Sequence, residues 1–222
     1  MTGPDQLEPA LDVVAVLADP VRRAAYRAVA DAGGAAQGRD EVAAALGVGR
    51  TLAAFHLDKL VDAGLLEVSF ARRSGRTGPG AGRPAKLYRR ADAEYAVSVP
   101  PRAYRSAAEM LAEAVALAGA DAALYRVARE RGRAVGAGAR RAATPRAVLR
   151  AQGYQPVADG DRLRLANCPF HVLAGREPGV VCGMNLALLQ GVLDGMGLDG
   201  WRAGIDPAPG HCCVSFSKTN DS

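Results

Sequence analysis

The chain has 222 residues, of which 49% are hydrophobic and 23% are charged. This composition excludes a globally disordered chain and leaves room for two small domains with separate cores. We expect no membrane span, because no apolar run reaches the length that a bilayer requires. The first twenty residues are acidic rather than basic, which argues against a secretory signal and predicts a cytoplasmic protein.

The net charge of +5 is concentrated in one segment. Residues 71–91 contain no acidic residue and seven basic ones, Arg72, Arg73, Arg76, Arg83, Lys86, Arg89 and Arg90. The rest of the chain therefore carries a small net negative charge. A solvated charge run is the plain alternative, but the lack of interleaved acids favours a docking surface for a polyanion.

The first hundred residues show helical periodicity with clear punctuation. Asp19-Pro20 predicts an N-cap between a short first helix and a second helix that ends at Gly33-Gly34. A further short helix over 40–46 ends at Gly47, and a helix over 50–63 is closed by Gly64. Two helices joined by the glycine turn 47–49 are the spacing of a helix-turn-helix.

A β-hairpin follows this pair of helices. Residues 65–70 alternate as a strand does, residues 74–84 are rich in glycine and proline, and residues 85–88 alternate again. The hairpin would carry a long basic tip, which is typical of a wing. A small helical domain with an appended hairpin is the alternative, and the order of elements together with the charge favours the winged form.

Residues 11–91 resemble the winged helix-turn-helix of ArsR-type bacterial regulators. The resemblance rests on the segment Leu17-Ala18-Asp19-Pro20-Val21-Arg22 and on the segment from Phe55 to Leu65. It implies a transcription regulator that binds a double-stranded DNA operator.

The helix over 50–63 would then enter the major groove. We expect Leu52, Ala53, Leu57 and Leu60 to face the core. The expected DNA contacts on this helix are Arg50, Thr51, Ala54, Phe55, His56 and Lys59. For Phe55, packing against the wing is as well supported as a contact with DNA. His56 is interpreted as buried or facing a phosphate.

The basic residues of the hairpin are expected to bind phosphates and to set affinity rather than sequence preference. These residues are Arg72, Arg73, Arg76, Arg83 and Lys86. An arginine at the glycine-rich tip, Arg76 or Arg83, is also suited to a narrow minor groove.

Two helices are predicted after Val99-Pro100-Pro101, over 104–118 and 120–139. In winged-helix regulators such helices rich in small residues form the dimer interface, and a two-fold operator favours a homodimer. Packing inside one monomer is the alternative.

The remaining residues predict a small α+β domain. A helix capped by Thr144 is followed by a hairpin around Asp159-Gly160, an apolar helix over 186–193 and a second hairpin over 201–216. The expected organisation is an α+β chain of three parts, with a DNA-binding domain over 1–98, dimerisation helices over 99–142 and a sensor domain over 143–222.

All four cysteines, Cys168, Cys182, Cys212 and Cys213, lie in the last quarter of the chain. Their gaps are wider than those of a zinc ribbon, and three separate elements supply them. We place Cys212 and Cys213 in the last strand, where they would face opposite sides, with Cys212 the buried one. Thiolates suit iron–sulfur clusters, zinc or Cu(I).

This tail resembles the sensor domain of SufR-type regulators, which bind an iron–sulfur cluster. The resemblance rests on Cys168-Pro169-Phe170, Val181-Cys182 and Cys212-Cys213-Val214. It implies a cluster, of the [4Fe–4S] type, held by Cys168, Cys182 and one or both of Cys212 and Cys213. The fourth ligand would be the second cysteine of that pair, His171, His211 or an external molecule.

Other functions remain open at this stage. The thiols suit a zinc site, and they also suit free cysteines that serve as small core residues. A small-molecule effector between the dimerisation helices and the sensor domain is a further alternative. We expect no enzyme, although Cys168 or Cys182 with His171 as base is the arrangement that catalysis would use.

Overall fold

The computed structural model describes residues 4–72, 84–100, 102–139 and 144–219, with side chains from residue 8 onward. Arg73, Arg76 and Arg83 of the predicted wing lie outside the described residues. The chain forms two compact units, Met1–Ala103 and Tyr104–Ser222. The helices expected over 99–142 do not form a unit of their own, because the second unit includes them together with the rest of the chain up to Ser222.

The first unit is a mixed helix-and-sheet domain with the predicted helix-turn-helix. Its helices are α1 (Pro4–Val16), α2 (Pro20–Ala30), α3 (Arg39–Leu46) and α4 (Arg50–Asp62). Its strands are β1 (Gln37–Gly38), β2 (Leu66–Ala71) and β3 (Ala85–Arg90), in the antiparallel order β1-β3-β2. The two-residue strand β1 was not predicted, since it is too short to alternate.

Local signals set most of these boundaries. The Asp19 carboxylate accepts a 2.8 Å hydrogen bond from the amide of Arg22 and caps α2. Gly47 adopts a left-handed conformation with φ of +66°, which ends α3 and lets the chain turn into α4. Gly64 adopts the same left-handed conformation directly after α4, with φ of +72°.

The core of the first unit holds α4 against α2, α3 and the sheet. Ala53, His56, Leu57 and Leu60 form the buried stripe of α4. The expectation that Leu52 also faces the core is wrong, because its side chain is 44% exposed. Leu52 lies one position before the stripe and points to the same outer face as Phe55, three residues on.

Within its described residues the second unit has five helices and four strands. The helices are α5 (Tyr104–Ala118), α6 (Asp121–Gly138), α7 (Pro145–Ala151), α8 (His171–Arg176) and α9 (Pro178–Met196). The strands are β4 (Pro156–Asp159), β5 (Arg162–Leu165), β6 (Trp201–Ile205) and β7 (Val214–Lys218), joined as one antiparallel sheet in the order β4-β5-β7-β6. Helix α8 was not predicted, and α9 begins well before the expected residue 186. The two predicted hairpins thus join into one sheet.

Helix α9 is the central element of this unit. Its residues Leu189 and Leu193 join Leu165 and Phe216 in the core, while its glycine face meets α6. Gly191 lies against the carbonyl group of Arg129, close enough that even a Cβ atom would clash. This close approach explains why both helices are rich in glycine.

Among the described helices, α9 has the length and the apolar composition that a membrane span would need. The expectation that no apolar run is long enough is therefore wrong by these two criteria. Burial offers a plain reason for the composition, since α9 packs on one side against α6 and on another against the sheet.

Candidate DNA-binding surface and thiol site

The outer face of α4 is exposed, as a helix that reads the major groove requires. Arg50, Thr51 and Lys59 are exposed, and Ala54 is half-buried. Phe55 is 51% exposed, so it is available to a base edge in the free chain. Leu52 adds a second exposed apolar side chain that the sequence prediction had assigned to the core.

Two cations of this face already have acidic neighbours. The Arg50 guanidinium lies 3.0 Å from a carboxylate oxygen of Asp40 on α3, and the Lys59 ammonium lies 3.8 Å from Asp62. Because all four side chains are more than half exposed, each pair contributes about 1 kcal/mol at most. A phosphate or a guanine edge can therefore replace either acid at small cost.

His56 belongs to the core and not to the outer face. Its residue exposure is 5%, and its Nδ1 atom has no hydrogen-bond partner among the described residues. The nearest acid is Asp19, whose carboxylate oxygen lies 4.0 Å from Nδ1. The prediction of a DNA contact from His56 is therefore wrong in this structure, and the alternative of a buried histidine fits.

A polar cluster joins the recognition helix α4 to the wing strand β3. We call Asp58, Lys86, Tyr88 and Arg39 the Asp58 cluster. The Asp58 carboxylate accepts hydrogen bonds from the Lys86 ammonium at 2.6 Å and from the Tyr88 hydroxyl at 2.7 Å. Arg39 donates to the Tyr88 hydroxyl at 3.0 Å, and its guanidinium lies 3.5 Å from Asp58.

The cluster changes the expected role of Lys86. In the free chain the Lys86 ammonium is paired with Asp58, so it is not an open phosphate contact. Pairing with Asp58 raises the pKa of Lys86. Asp58 in turn is neutralised by this cation, and it does not present a bare negative charge to DNA.

The basic segment is less isolated than the sequence indicated. Arg89 on β3 makes a 2.7 Å ion pair with Glu67, its register partner on β2. Acids thus reach this segment from the neighbouring strand and from α4, and only the fold brings them there. Arg72 remains exposed at the end of β2.

The four cysteines of the second unit come together from three places. Cys168 lies in the loop after β5, Cys182 lies on α9, and Cys212 and Cys213 lie in the loop before β7. The prediction that the last two belong to the strand is wrong, because β7 begins at Val214. Freed from strand alternation, the two thiols can both face the other cysteines.

The thiols interact in two pairs. Cys168 interacts with Cys212, and Cys182 interacts with Cys213. Weaker electrostatic interactions link Cys182 to Cys168 and to Cys212. In the part of the chain that the structure describes, no group of three His, Cys, Asp or Glu side chains is arranged to hold a metal ion as the side chains stand.

Cys212 is the most buried of the four, as predicted, with an exposure of 4%. Its sulfur accepts a hydrogen bond from the Asn185 amide at 3.3 Å and one from the backbone amide of Val214 at 3.5 Å. The backbone of Cys212 also donates to the Leu165 carbonyl oxygen at 2.8 Å, which fixes the loop on β5.

These contacts give the thiols different pKa values. Interaction with Cys168 is the largest cause that lowers the pKa of Cys212, to about 7, and the donors from Val214 and Asn185 act in the same direction. Interaction with Cys212 followed by burial raises the pKa of Cys168. Burial, and then interaction with Cys213, raises the pKa of Cys182 to about 11. Cys212 is therefore the first of these three thiols to become the anion that metals bind.

The two candidate histidine ligands lie near the cysteines in sequence. His171 is exposed at the first residue of α8. His211 is half-buried, and its Nδ1 atom lies 2.9 Å from the carbonyl oxygen of Pro209.

A cavity of about 220 Å³ lies between α7, α9 and the sheet of the same unit. Its walls are almost entirely carbon, and they include Leu149, Leu163, Val192, Met196, Trp201 and Phe216. Leu149, Leu163 and Phe216 also belong to the core that contains Cys212. The cavity and the thiol site thus share one layer of side chains.

The helices α3 and α4, the glycine turn between them and the hairpin β2–β3 define a winged helix-turn-helix, the fold of a class of DNA-binding transcription regulators. Residues 17–69 match the family described as a helix-turn-helix domain. Comparison with curated proteins and with solved structures gave no match. The chain therefore contains a helix-turn-helix domain of the kind that DNA-binding transcription regulators use.

Proposed function

We propose that this regulator is a homodimeric cytoplasmic repressor, without catalytic activity, whose affinity for its operator is controlled by an iron–sulfur cluster held by the C-terminal cysteines. The observation that carries the proposal is the meeting of four thiols from three elements in one region of the second unit.

The donor set fits such a group. Four thiols are the ligands that iron–sulfur clusters prefer, and a [4Fe–4S] cluster takes four of them. As the side chains stand, no three His, Cys, Asp or Glu side chains of the described residues are arranged to hold a single metal ion. When bound, the cluster supplies a group that oxidation or iron limitation removes or alters.

The residues of the second unit would hold this group in defined ways. Cys212 offers a buried sulfur to which Asn185 and Val214 donate hydrogen bonds. Cys182 is anchored by the first half of α9, and Cys168 by the loop after β5. His171 and His211 are the reserve ligands in this proposal.

The first unit would read the operator through the exposed face of α4. Arg50 donates to a guanine edge after leaving Asp40, and Thr51 donates to a base or phosphate. Ala54, Phe55 and Leu52 offer apolar surface to thymine methyl groups. Lys59, Arg72 and the residues Arg73, Arg76 and Arg83 would supply phosphate contacts, which set the salt dependence of binding.

Helix α5 supports a homodimer. None of its residues is buried among the described part of the chain, and its large apolar side chains point outward. Tyr104 is 75% exposed, Met110 62%, Leu111 66% and Leu117 84%. A second copy that covers these residues would remove them from water and would match a two-fold operator.

The decisive experiment is an elemental analysis of the purified protein. Protein purified without oxygen is analysed for iron, acid-labile sulfide and zinc per chain, and its visible absorbance is recorded. The proposal predicts iron and sulfide in equal amounts, lost in Cys182→Ser and Cys212→Ser. One zinc per chain, with no iron and no thiolate-to-iron band, would refute it.

Binding to operator fragments, selected from random duplexes, is then compared before and after removal of the cluster. A change of tenfold or more in affinity supports cluster control, whereas equal affinities would contradict it. Arg50→Ala should relax preference at one base pair, and Arg72→Ala should weaken all sequences alike.

A second candidate is a regulator controlled by zinc in the same thiol site or by a small molecule. The carbon-lined cavity beside Trp201 favours the small molecule, since its volume suits a compact apolar ligand. A thermal-shift screen with and without a chelator separates these controls. Stabilisation by apolar compounds that a chelator leaves unchanged would favour the cavity, and loss of stability on chelation would favour the metal.

A further inference from the structure

Asn185 is a deeply buried polar residue of the second unit, and its side chain contacts the sulfur of Cys212. It is 1% exposed and lies on α9, one helical turn after Cys182. Residues three apart on a helix share a face, so Asn185 and Cys182 are directed to the same region. An amide buried this deeply must satisfy its polar atoms within the protein.

The two ends of this amide have different partners. The carbonyl oxygen of Asn185 accepts a 2.5 Å hydrogen bond from the Tyr154 hydroxyl, and its Nδ2 group donates to the Cys212 sulfur at 3.3 Å. Tyr154 is itself buried, with an exposure of 3%. A chain of two hydrogen bonds therefore runs from Tyr154 through Asn185 to Cys212.

This chain fixes the direction of the amide. Turning Asn185 over would bring its carbonyl oxygen against the Cys212 sulfur, and two electron-rich atoms would then face each other. Tyr154 holds the oxygen on the far side. The N–H group is thus kept on the Cys212 sulfur and restricts where that sulfur lies.

We propose that Asn185, oriented by Tyr154, is the positioning residue that holds the Cys212 sulfur as a metal ligand and tunes the group bound there. The inference rests on the proposed function, and it adds two residues that the sequence did not single out. Hydrogen bonds to ligand sulfurs shift the reduction potential of an iron–sulfur cluster, and partners of a metal ligand control its affinity. Val214 contributes a second donor from the backbone, which substitution of its side chain leaves in place.

Two substitutions of Asn185 separate its two bonds. Asn185→Asp retains an acceptor for the Tyr154 hydroxyl and replaces the donor with an oxygen. Asn185→Leu removes both bonds and keeps the number and branching of the side-chain heavy atoms, although leucine is larger. Tyr154→Phe leaves the amide in place but no longer oriented. Far-UV circular dichroism and melting temperature establish that each variant is folded.

The matched control is Asn167→Asp. Asn167 precedes Cys168, and within the described residues its side-chain amide bonds to backbone, accepting from the Gln155 amide at 2.6 Å and donating to the Gly153 carbonyl at 2.8 Å. The same chemical change is thereby made beside a different cysteine. It is expected to leave the metal site intact.

The first measurement is a titration of the oxygen-free, metal-free chain with Co²⁺, followed through its thiolate charge-transfer absorbance. Asn185→Asp and Asn185→Leu should weaken Co²⁺ binding by roughly ten- to a hundredfold. Tyr154→Phe should show a smaller loss, and Asn167→Asp should bind as the wild type does. In cluster-loaded protein, Asn185→Leu should lower the midpoint potential, because a donor to sulfur is gone.

A second measurement needs no metal. In metal-free protein the side-chain amide signals of Asn185 should shift, and exchange faster with solvent, in Cys212→Ala but not in Cys182→Ala. Wild-type metal affinity in both Asn185 variants, or amide signals indifferent to Cys212, would overturn the inference. A wild type that binds neither metal nor cluster would refute the proposed function, and the amide signals would then decide whether Asn185 positions Cys212.

Discussion

The hydroxyl group of Tyr88, fully buried in strand β3, donates a 2.7 Å hydrogen bond to the carboxylate of Asp58 on the recognition helix. This bond links strand β3 to helix α4. Under the proposed function both elements would contact the same DNA duplex, so their relative position would decide whether both can bind at once.

Tyr88→Phe and Asp58→Ala are expected to be coupled. Each removes a hydrogen bond that involves a charged or buried group, and each should cost about 1–2 kcal/mol in the free energy of unfolding. Because the two changes remove the same contact, the double variant should lose less than the sum of the single losses. Urea unfolding followed by far-UV circular dichroism measures this, and strict additivity would contradict the contact.

The stability conferred by Asp58 should depend on pH. Partial burial raises the pKa of Asp58, but the hydrogen bonds from Lys86 and Tyr88 outweigh burial and hold the pKa below the ordinary value of 3.8. A lowered pKa in the folded state gives stability that is present above about pH 4 and is lost as pH falls further. The difference in unfolding free energy between wild type and Asp58→Asn should therefore be constant near pH 7 and shrink below pH 4. A constant difference down to pH 2 would show that the carboxylate charge is not involved.

The packing of α6 against α9 should tolerate no side chain at Gly191. Its Cβ would meet the backbone carbonyl of Arg129, so Gly191→Ala must separate the helices, at a cost of about 1–3 kcal/mol or more. Gly179→Ala on the same helix has free space around it and serves as the control. Trp201 is the single tryptophan, and its fluorescence follows unfolding of this unit. Equal midpoints for the two variants would contradict the close approach.

The apolar surface of α5 should control the oligomeric state. Leu111→Glu places a charge on the exposed stripe, and we expect it to convert a dimer to a monomer that remains folded. Ile205→Glu, at a residue of the same unit that is 50% exposed on β6, is the control and should leave the mass unchanged. Analytical ultracentrifugation measures both. A wild type that is already monomeric would refute the dimer.

Several features of this protein were predictable because they depend on neighbours in sequence. The Asp19-Pro20 cap and the glycines at 47 and 64 act within one turn of the chain, and the helix boundaries agree with them. The glycine turn, the alternation of the hairpin and the basic segment were sufficient to indicate the winged helix-turn-helix. Strand β1 and helix α8 were missed because each is too short to show a period.

Tertiary structure alone decided how the functional side chains are used. Lys86 lies 28 residues from Asp58, and no local pattern pairs them. Leu52 lies outside the buried stripe of α4 and His56 inside it, because the stripe is set by what the helix packs against. The later start of β7 frees Cys212 and Cys213 from alternation, and Asn185 reaches Cys212 across 27 residues.

The sequence by itself thus determined the class of protein, since short-range periodicity and capping specify the order of helices, turn and hairpin. Which charges are free, which thiols meet and which amide holds a sulfur depend on contacts between distant segments. Those contacts form only when burial of the two cores brings the segments together, and that is why they appear in the structure alone.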